Sequence, residues 1–322
     1  MAHHRLPTNL NFAQRVAPVG FASVGRLSKP SGRLPFHRGL HFVGSVGALW
    51  AVAAGVPLDN PSVISMTCAA ILLFGLPHGT FDLALIGRAH ASSRIIGVLA
   101  LYLGCAAAMY GLWQYAPTIA LIVFFALSIV HFAEDWTDYL PSFFARGTSL
   151  ALLVAPVFLH QRTLEALFSM LVGEQSATMF IAIAVMVAPL LLAIASVAVV
   201  ALWHDAHRDQ AVATGLALAA MVFAPPIIGF ALFFCLMHSP AQFVSAQRLL
   251  TQNRSAQWLR IVIPLTCAAL GIAALILSTL TLVSISNALI VTAFVTLSIL
   301  TLPHMIVPTI VAGCNRYGQR SV

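Results

Sequence analysis

Charge is what this chain has least of. Only 8% of its 322 residues are Asp, Glu, Lys or Arg, where a soluble domain carries roughly 25%. A water-solvated surface cannot be built from so few, which excludes an ordinary soluble enzyme. Cysteine is sparse too: Cys68, Cys105, Cys235, Cys267 and Cys314 show no CxxC spacing, which argues against a disulfide framework and a zinc–thiolate site. Apart from one HxxxH string, His37–His41, histidine is not gathered into the dense HxxxH and HxxHH boxes of membrane desaturases. No internal repeat is visible, so the inverted-repeat signature of many transporters is missing. Alternating strands of about ten residues, the mark of a membrane barrel, are missing as well. The basic balance, 16 Lys and Arg against 9 Asp and Glu, does not imply nucleic acid. The positive side chains sit in short flanks of apolar stretches, where they orient a membrane protein.

Hydrophobic residues make up 60% of the chain, and the mean hydropathy is +0.94. A helix of about 20 apolar residues crosses a bilayer. In lipid each backbone N–H and C=O must be paired within the segment, so the recurring apolar stretches are helices. The expected fold is an all-α, polytopic transmembrane bundle of about eight spans, near 40–58, 63–86, 95–115, 118–137, 177–203, 211–243, 259–281 and 287–312. Residues 1–38 are expected to form a basic, disordered cytoplasmic tail, 39–313 the membrane domain, and 314–322 a short cytoplasmic tail. Segment 148–173 is ambiguous: its apolar run is short, holds Pro156, and continues into the amphipathic stretch after His160. If it stays on one side, 15 of the 16 Lys and Arg fall inside and only Arg208 outside. If it crosses, and the other spans stand, the division is 10 to 6. The positive-inside bias therefore favours eight spans, with both termini cytoplasmic in a plasma (inner) membrane. Pro225-Pro226 within 211–243 should kink or break that helix.

Ionisable residues inside spans are costly and mark function by default. Here they fall in four places. Gly75-Leu76-Pro77-His78-Gly79-Thr80-Phe81-Asp82 places His78 and Asp82 four apart, on one helix face. Ser128-Ile129-Val130-His131-Phe132-Ala133-Glu134-Asp135 repeats that spacing with His131 and Asp135, and adds Glu134. The third string is His238-Ser239-Pro240-Ala241-Gln242, and the fourth is Pro303-His304. In the eight-span reading the four spans run in the same direction and hold their histidines at similar depth. Neutral imidazole suits Fe, Zn and Cu without bringing buried negative charge. A carboxylate one turn away would orient each ring, the role open to Asp82, Asp135 and Glu134. The competing reading is that His–carboxylate pairs only hold helices together. Phe74, Phe81, Phe132, Trp136, Phe230, Phe233 and Phe234 flank the proposed centre, either as the wall of an apolar tunnel or as ordinary packing.

The stretches GLPHGTFD (75–82) and SIVHFAED (128–135), the HS of His238-Ser239 and the PH of Pro303-His304 resemble the Brp/Blh family of bacterial membrane β-carotene dioxygenases. Order and spacing agree over roughly residues 40–312. The resemblance implies cleavage of the central 15,15′ double bond of β-carotene by O2 to two retinals, with histidine-bound Fe(2+). It implies His78, His131 and His238 as metal ligands. The family's usual fourth histidine comes four residues after the third, where this chain has Gln242, and the accompanying Arg is replaced by Ala241. His304 then completes the set, with Gln242 as the competing position. Phe74, Phe81, Phe132, Trp136, Phe233 and Phe234 are the expected substrate contacts, in a protein bathed by membrane lipid. Alternatives are an oxygenase acting on another carotenoid or polyene, a carotenoid-binding protein without catalysis, and a metal or proton transporter using the His/Asp pairs as a relay.

Overall fold

The structure, a computed structural model, describes residues 36–75, 92–244, 259–280 and 284–320. The regular structure of the described residues is all helical, as expected: α1 (Phe36–Ala53), α2 (Pro61–Ala70), α3 (Ser92–Tyr115), α4 (Pro117–Ala133), α5 (Ser142–Val154), α6 (Val157–Val172), α7 (Glu174–His204), α8 (Arg208–Phe223), α9 (Pro226–Phe233), α10 (Leu259–Thr279) and α11 (Ile285–Arg320). Two π-helical turns interrupt this plan, Ile71–Gly75 after α2 and Phe234–His238 after α9.

The helix boundaries have local causes. Asn60 caps α2 by accepting from the Val63 N–H, and Pro61 occupies the first turn, where its missing N–H costs nothing. Pro117 and Pro226 start α4 and α9 in the same way. Gly173, at φ +82°, separates α6 from α7 with a backbone conformation that a side chain would strain.

Among the described residues, five helices are long and apolar enough to cross a membrane, and α5 with α6 forms a sixth if the pair, bent by 66°, is counted as one span. The Pro61–Gly75 and Pro117–Ala133 helices are shorter and also apolar. The packing suits a lipid solvent. The buried stripe of α7 is largely alanine, including Ala177, Ala188, Ala195 and Ala198, while Met186, Leu190 and Val200 are exposed. Small residues let helices approach closely where lipid leaves no hydrophobic drive between them.

Two segments are built differently from the eight-span reading. The 211–243 stretch is two helices that fold back on each other at Pro225-Pro226. The ring nitrogens of buried His41 reach both arms, lying 3.2 Å from the Ala213 carbonyl oxygen and 3.3 Å from that of Leu232. Gly229 lies against Ala220, whose carbonyl oxygen would be 2.8 Å from an added Cβ. The prolines thus reverse the chain instead of kinking it. Segment 148–173 also traverses the bundle. Gln210, at the start of α8, accepts from Arg38 at the start of α1 (3.1 Å) and donates to the Asp135 carbonyl just after α4 (3.2 Å). These residues share one end of the bundle. Thr118 at the start of α4 and Ser176 at the start of α7 lie 3.0 Å apart, at the other end. The chain therefore leaves α4 at one end and enters α7 at the opposite one, so bent α5–α6 carries it across. Helix α7, about 46 Å long at 1.5 Å per residue, returns it.

The two differences cancel, because each adds one traverse. Helices α2, α4, α9 and α11 still run in the same direction, as the shared depth of the histidine strings requires. Arg208 moves to the basic end, and Arg162 becomes the residue carried into the traverse. The helix at the C-terminal end continues through the expected tail to Arg320.

Candidate functional site

Helices α4, α9 and α11 bring three of the four intramembrane histidines into contact. The Nε2 atom of His131 lies 3.0 Å from Nε2 of His238 and 3.2 Å from Nε2 of His304. The His131 ring stands nearly perpendicular to both others, at 86° and 84°. His238 is fully buried and His131 is 5% exposed. His78, Phe81 and Asp82 lie outside the described residues.

Two carboxylates address the outer faces of these rings. Asp135 Oδ2 accepts from His238 Nδ1 at 2.9 Å, with side chains 6% and 0% exposed. Glu134 Oε2 is 3.5 Å from His131 Nδ1, in a half-open position at 34% exposure. The Asp135 contact decides the tautomer of His238. A neutral ring gives its single N–H to the carboxylate, so its Nε2 lone pair faces His131. His131 Nε2 then meets two nitrogens. If its hydrogen is on Nδ1, lone pairs oppose each other across 3.0 Å. If its hydrogen is on Nε2, that one hydrogen must serve both gaps.

Where the rings are neutral, the converging lone pairs favour a cation between them. Two imidazoles bound at right angles to one first-row ion, at about 2.0–2.1 Å each, are separated by about 3 Å. The donor set and its buried orienting carboxylate thus fit a histidine-bound metal. Among the described residues, no three His, Cys, Asp or Glu side chains already surround one point at coordination distance. The rings are packed nitrogen to nitrogen, and seating an ion would require them to turn toward a common point.

His238 is mounted on irregular backbone. The π-turn Phe234–His238 ends on His238 itself, and its partner Ile71–Gly75 ends just before the GLPHGTFD string's histidine. The turns touch. Ser239 Oγ donates to the Phe74 carbonyl at 2.9 Å, and Cys235 Sγ lies 3.7 Å from that of Ala70. A π-turn inserts one residue and so rotates the next stretch of helix about its axis, a feature frequent at functional sites. No residue pattern announced either turn.

An apolar cavity of about 30 Å³ opens against His131 and His304, lined by Phe124, Phe132, Phe230 and Phe234 among others. Of the expected substrate contacts, Phe132 and Phe234 line it. Phe233 and Trp136 stack on each other, 8° apart in plane, and the Trp136 indole donates to Thr214 Oγ1 at 2.8 Å, which makes them packing elements. Phe74 is 64% exposed on the bundle surface. Phe124, which the motif reading passed over, is a wall residue.

Gln242 lines a second, polar cavity of about 170 Å³ with Glu134, Asp135, Asp138, Arg38 and Gln210. That cavity opens beyond Asp135, and the lining of the apolar cavity includes His304 and not Gln242. His160 marks a local break in α6, at φ −123° and ψ 30°.

The family described as beta-carotene 15,15'-dioxygenase matches residues 69–311. A beta-carotene 15,15'-dioxygenase from an uncultured marine bacterium, 66A03, is 27% identical over 217 residues, covering 62% of this chain and 76% of that protein. No solved structure matches the chain. The family match spans well over half of the sequence and takes in all four histidine strings, so the chain belongs to the β-carotene 15,15′-dioxygenase family.

Proposed function

We propose that this protein cleaves the central 15,15′ double bond of β-carotene with O2, giving two retinals, and that ferrous iron held by His78, His131, His238 and His304 supports the reaction. The observation that carries this reading is the meeting of His131, His238 and His304 within 3.2 Å of a shared nitrogen, in a chain whose family cleaves carotene. Ferrous iron, when bound, supplies the redox chemistry that triplet O2 needs to react with a closed-shell alkene.

The overall change breaks one C=C bond and O=O, and forms two C=O bonds. It consumes no proton and no external reductant. Acid–base groups are therefore not required, and the carboxylates have a different task. Asp135 holds His238 with its Nε2 lone pair aimed at the cluster, and Glu134 stands beside the outer nitrogen of His131. The apolar wall orients the polyene and keeps water away from the reacting carbon atoms. At about 30 Å³ the cavity admits a molecule of the size of O2. β-Carotene partitions into bilayers, so a site among membrane helices meets it without a water crossing.

The basic end of the bundle, which holds Arg38 and Arg208, is assigned to the cytoplasmic side of the plasma membrane by the positive-inside bias. Both termini are then cytoplasmic. Expression in a bacterium that accumulates β-carotene, followed by chromatography, tests the activity: retinal should appear with the wild-type chain and disappear with His131→Ala. Iron analysis of the purified protein should find about one ion per chain. A chain that makes no retinal in this host, or His131→Ala that makes it normally, would refute the reading.

A further inference from the structure

Phe230, Phe234 and His238 succeed one another along a single helical rod, and their rings form a ladder. Phe230 and Phe234 are 5.2 Å apart with planes at 13°, and Phe234 and His238 are 5.9 Å apart with planes at 15°. Phe132 stands edge-on to Phe234 and to His238, at 63° and 73°. The ladder leads from the apolar cavity to the ring whose Nε2 faces His131. A glycine holds it in place. A Cβ added at Gly75 would fall 2.2 Å from Cε1 and 2.9 Å from Cδ1 of Phe234, so the ring occupies the space that a side chain at 75 would need. Both residues line the cavity. Ser239 and Cys235, bonded to the carbonyls of Phe74 and Ala70, tie the glycine's segment to the ladder's own helix.

We propose that Gly75 and Phe234 together determine substrate register, Gly75 by providing the seat for the Phe234 ring and Phe234 by fixing where along the ladder a flat conjugated chain comes to rest. A conjugated polyene is planar and apolar, and it matches a row of near-parallel rings closed on one side by an edge-on ring. Its position along that row decides which double bond lies beside the histidines. At about 30 Å³ the cavity is far below the roughly 300–1,000 Å³ of a typical ligand site. A polyene therefore enters only as ladder rings swing aside, and Phe234 is the ring whose seat is most tightly defined. This inference rests on the carotenoid-cleaving reading above.

The test compares Gly75→Ala, Phe234→Leu and the double variant, each checked for helical content, monodispersity and iron. β-Carotene binding to metal-free protein is measured by the shift of its visible absorbance, and products are measured by chromatography. Gly75→Ala displaces the Phe234 ring and weakens binding tenfold or more. The double variant recovers most of that loss, because a leucine leaves room for the new methyl group. Phe234→Leu alone yields apocarotenals of unequal length beside retinal. Wild-type binding by Gly75→Ala overturns the proposal, as does a folded double variant no better than Gly75→Ala. Retinal as the sole product of Phe234→Leu also overturns it. If Gly75→Ala does not fold, the product pattern of Phe234→Leu decides alone. A wild-type chain that binds β-carotene without cleaving it would instead refute the proposed function, and the binding comparison would still decide whether Gly75 and Phe234 form the polyene seat.

Discussion

Asp135→Asn is the most discriminating single change at the histidine cluster. The carboxylate sits 2.9 Å from His238 Nδ1 with both side chains buried, at 6% and 0% exposure. It fixes the tautomer and ring angle of His238 and makes its Nε2 a stronger donor to a metal. Asparagine keeps the volume, but it turns a charge-assisted bond into a neutral one, and its NH2 can face the ring instead. Orienting carboxylates behind metal-bound histidines change affinity or activity by about 10–100-fold when removed, or about 1.4–2.8 kcal/mol. Glu134→Gln is the internal comparison. Its carboxylate is 3.5 Å from His131 Nδ1 and 34% exposed, so the interaction is longer and screened by solvent; an exposed pair contributes about 0–1 kcal/mol. The expected loss of ferrous ion affinity is therefore tenfold or more for Asp135→Asn and about threefold or less for Glu134→Gln. Anaerobic titration of metal-free protein, with retinal formation assayed afterwards, measures both. Equal effects, or wild-type affinity in Asp135→Asn, would refute the argument that burial and geometry make Asp135 the orienting group.

The packing leads to three further expected outcomes. His304→Ala should lower iron content and cleavage at least tenfold while Gln242→Ala changes them by less than about threefold, since His304 touches His131 and Gln242 lines the polar cavity; the opposite order in metal analysis would place Gln242 at the metal. Topology reporters inserted at Gly173 and at Ala206 should report opposite sides, with Ala206 on the side of Arg38; Gly173 on the side of Arg38 and Ala206 opposite would restore the eight-span path. Gly229→Ala should destabilise the protein by about 1–3 kcal/mol, because the new methyl meets the Ala220 carbonyl at 2.8 Å and backbone cannot step aside. A thermal scan in detergent that shows no change would mean that the α8–α9 hairpin is looser than the contacts of His41 and Gly229 imply.

The sequence by itself determined the solvent of this protein, its helical character and the family to which it belongs. The first two are local properties: apolar length, and the rule that backbone polar groups in lipid pair within a helix. The i, i+4 spacing offered Asp135 to His131, but packing gave it to His238 and left Glu134 beside His131. The common direction of α2, α4, α9 and α11 agrees with the eight-span reading only because its two missed traverses cancel. Tertiary structure decided the rest. Pro225-Pro226 announced a break, but whether a break becomes a kink or a reversal depends on what receives the second arm. Here His41 bridges Ala213 and Leu232, and Gly229 admits Ala220. The same limit applies to the aromatics. Composition made all of them wall candidates, yet rotation about each helix axis and two π-turns sent Phe132, Phe230 and Phe234 to the cavity and stacked Phe233 on Trp136. Gln242 shares the rod of His238 but lies one turn, about 6 Å, further along, and that step carries it past Asp135 into polar space. Spacing along a chain specifies which residues share a face. Only the packing of neighbouring helices specifies what that face meets.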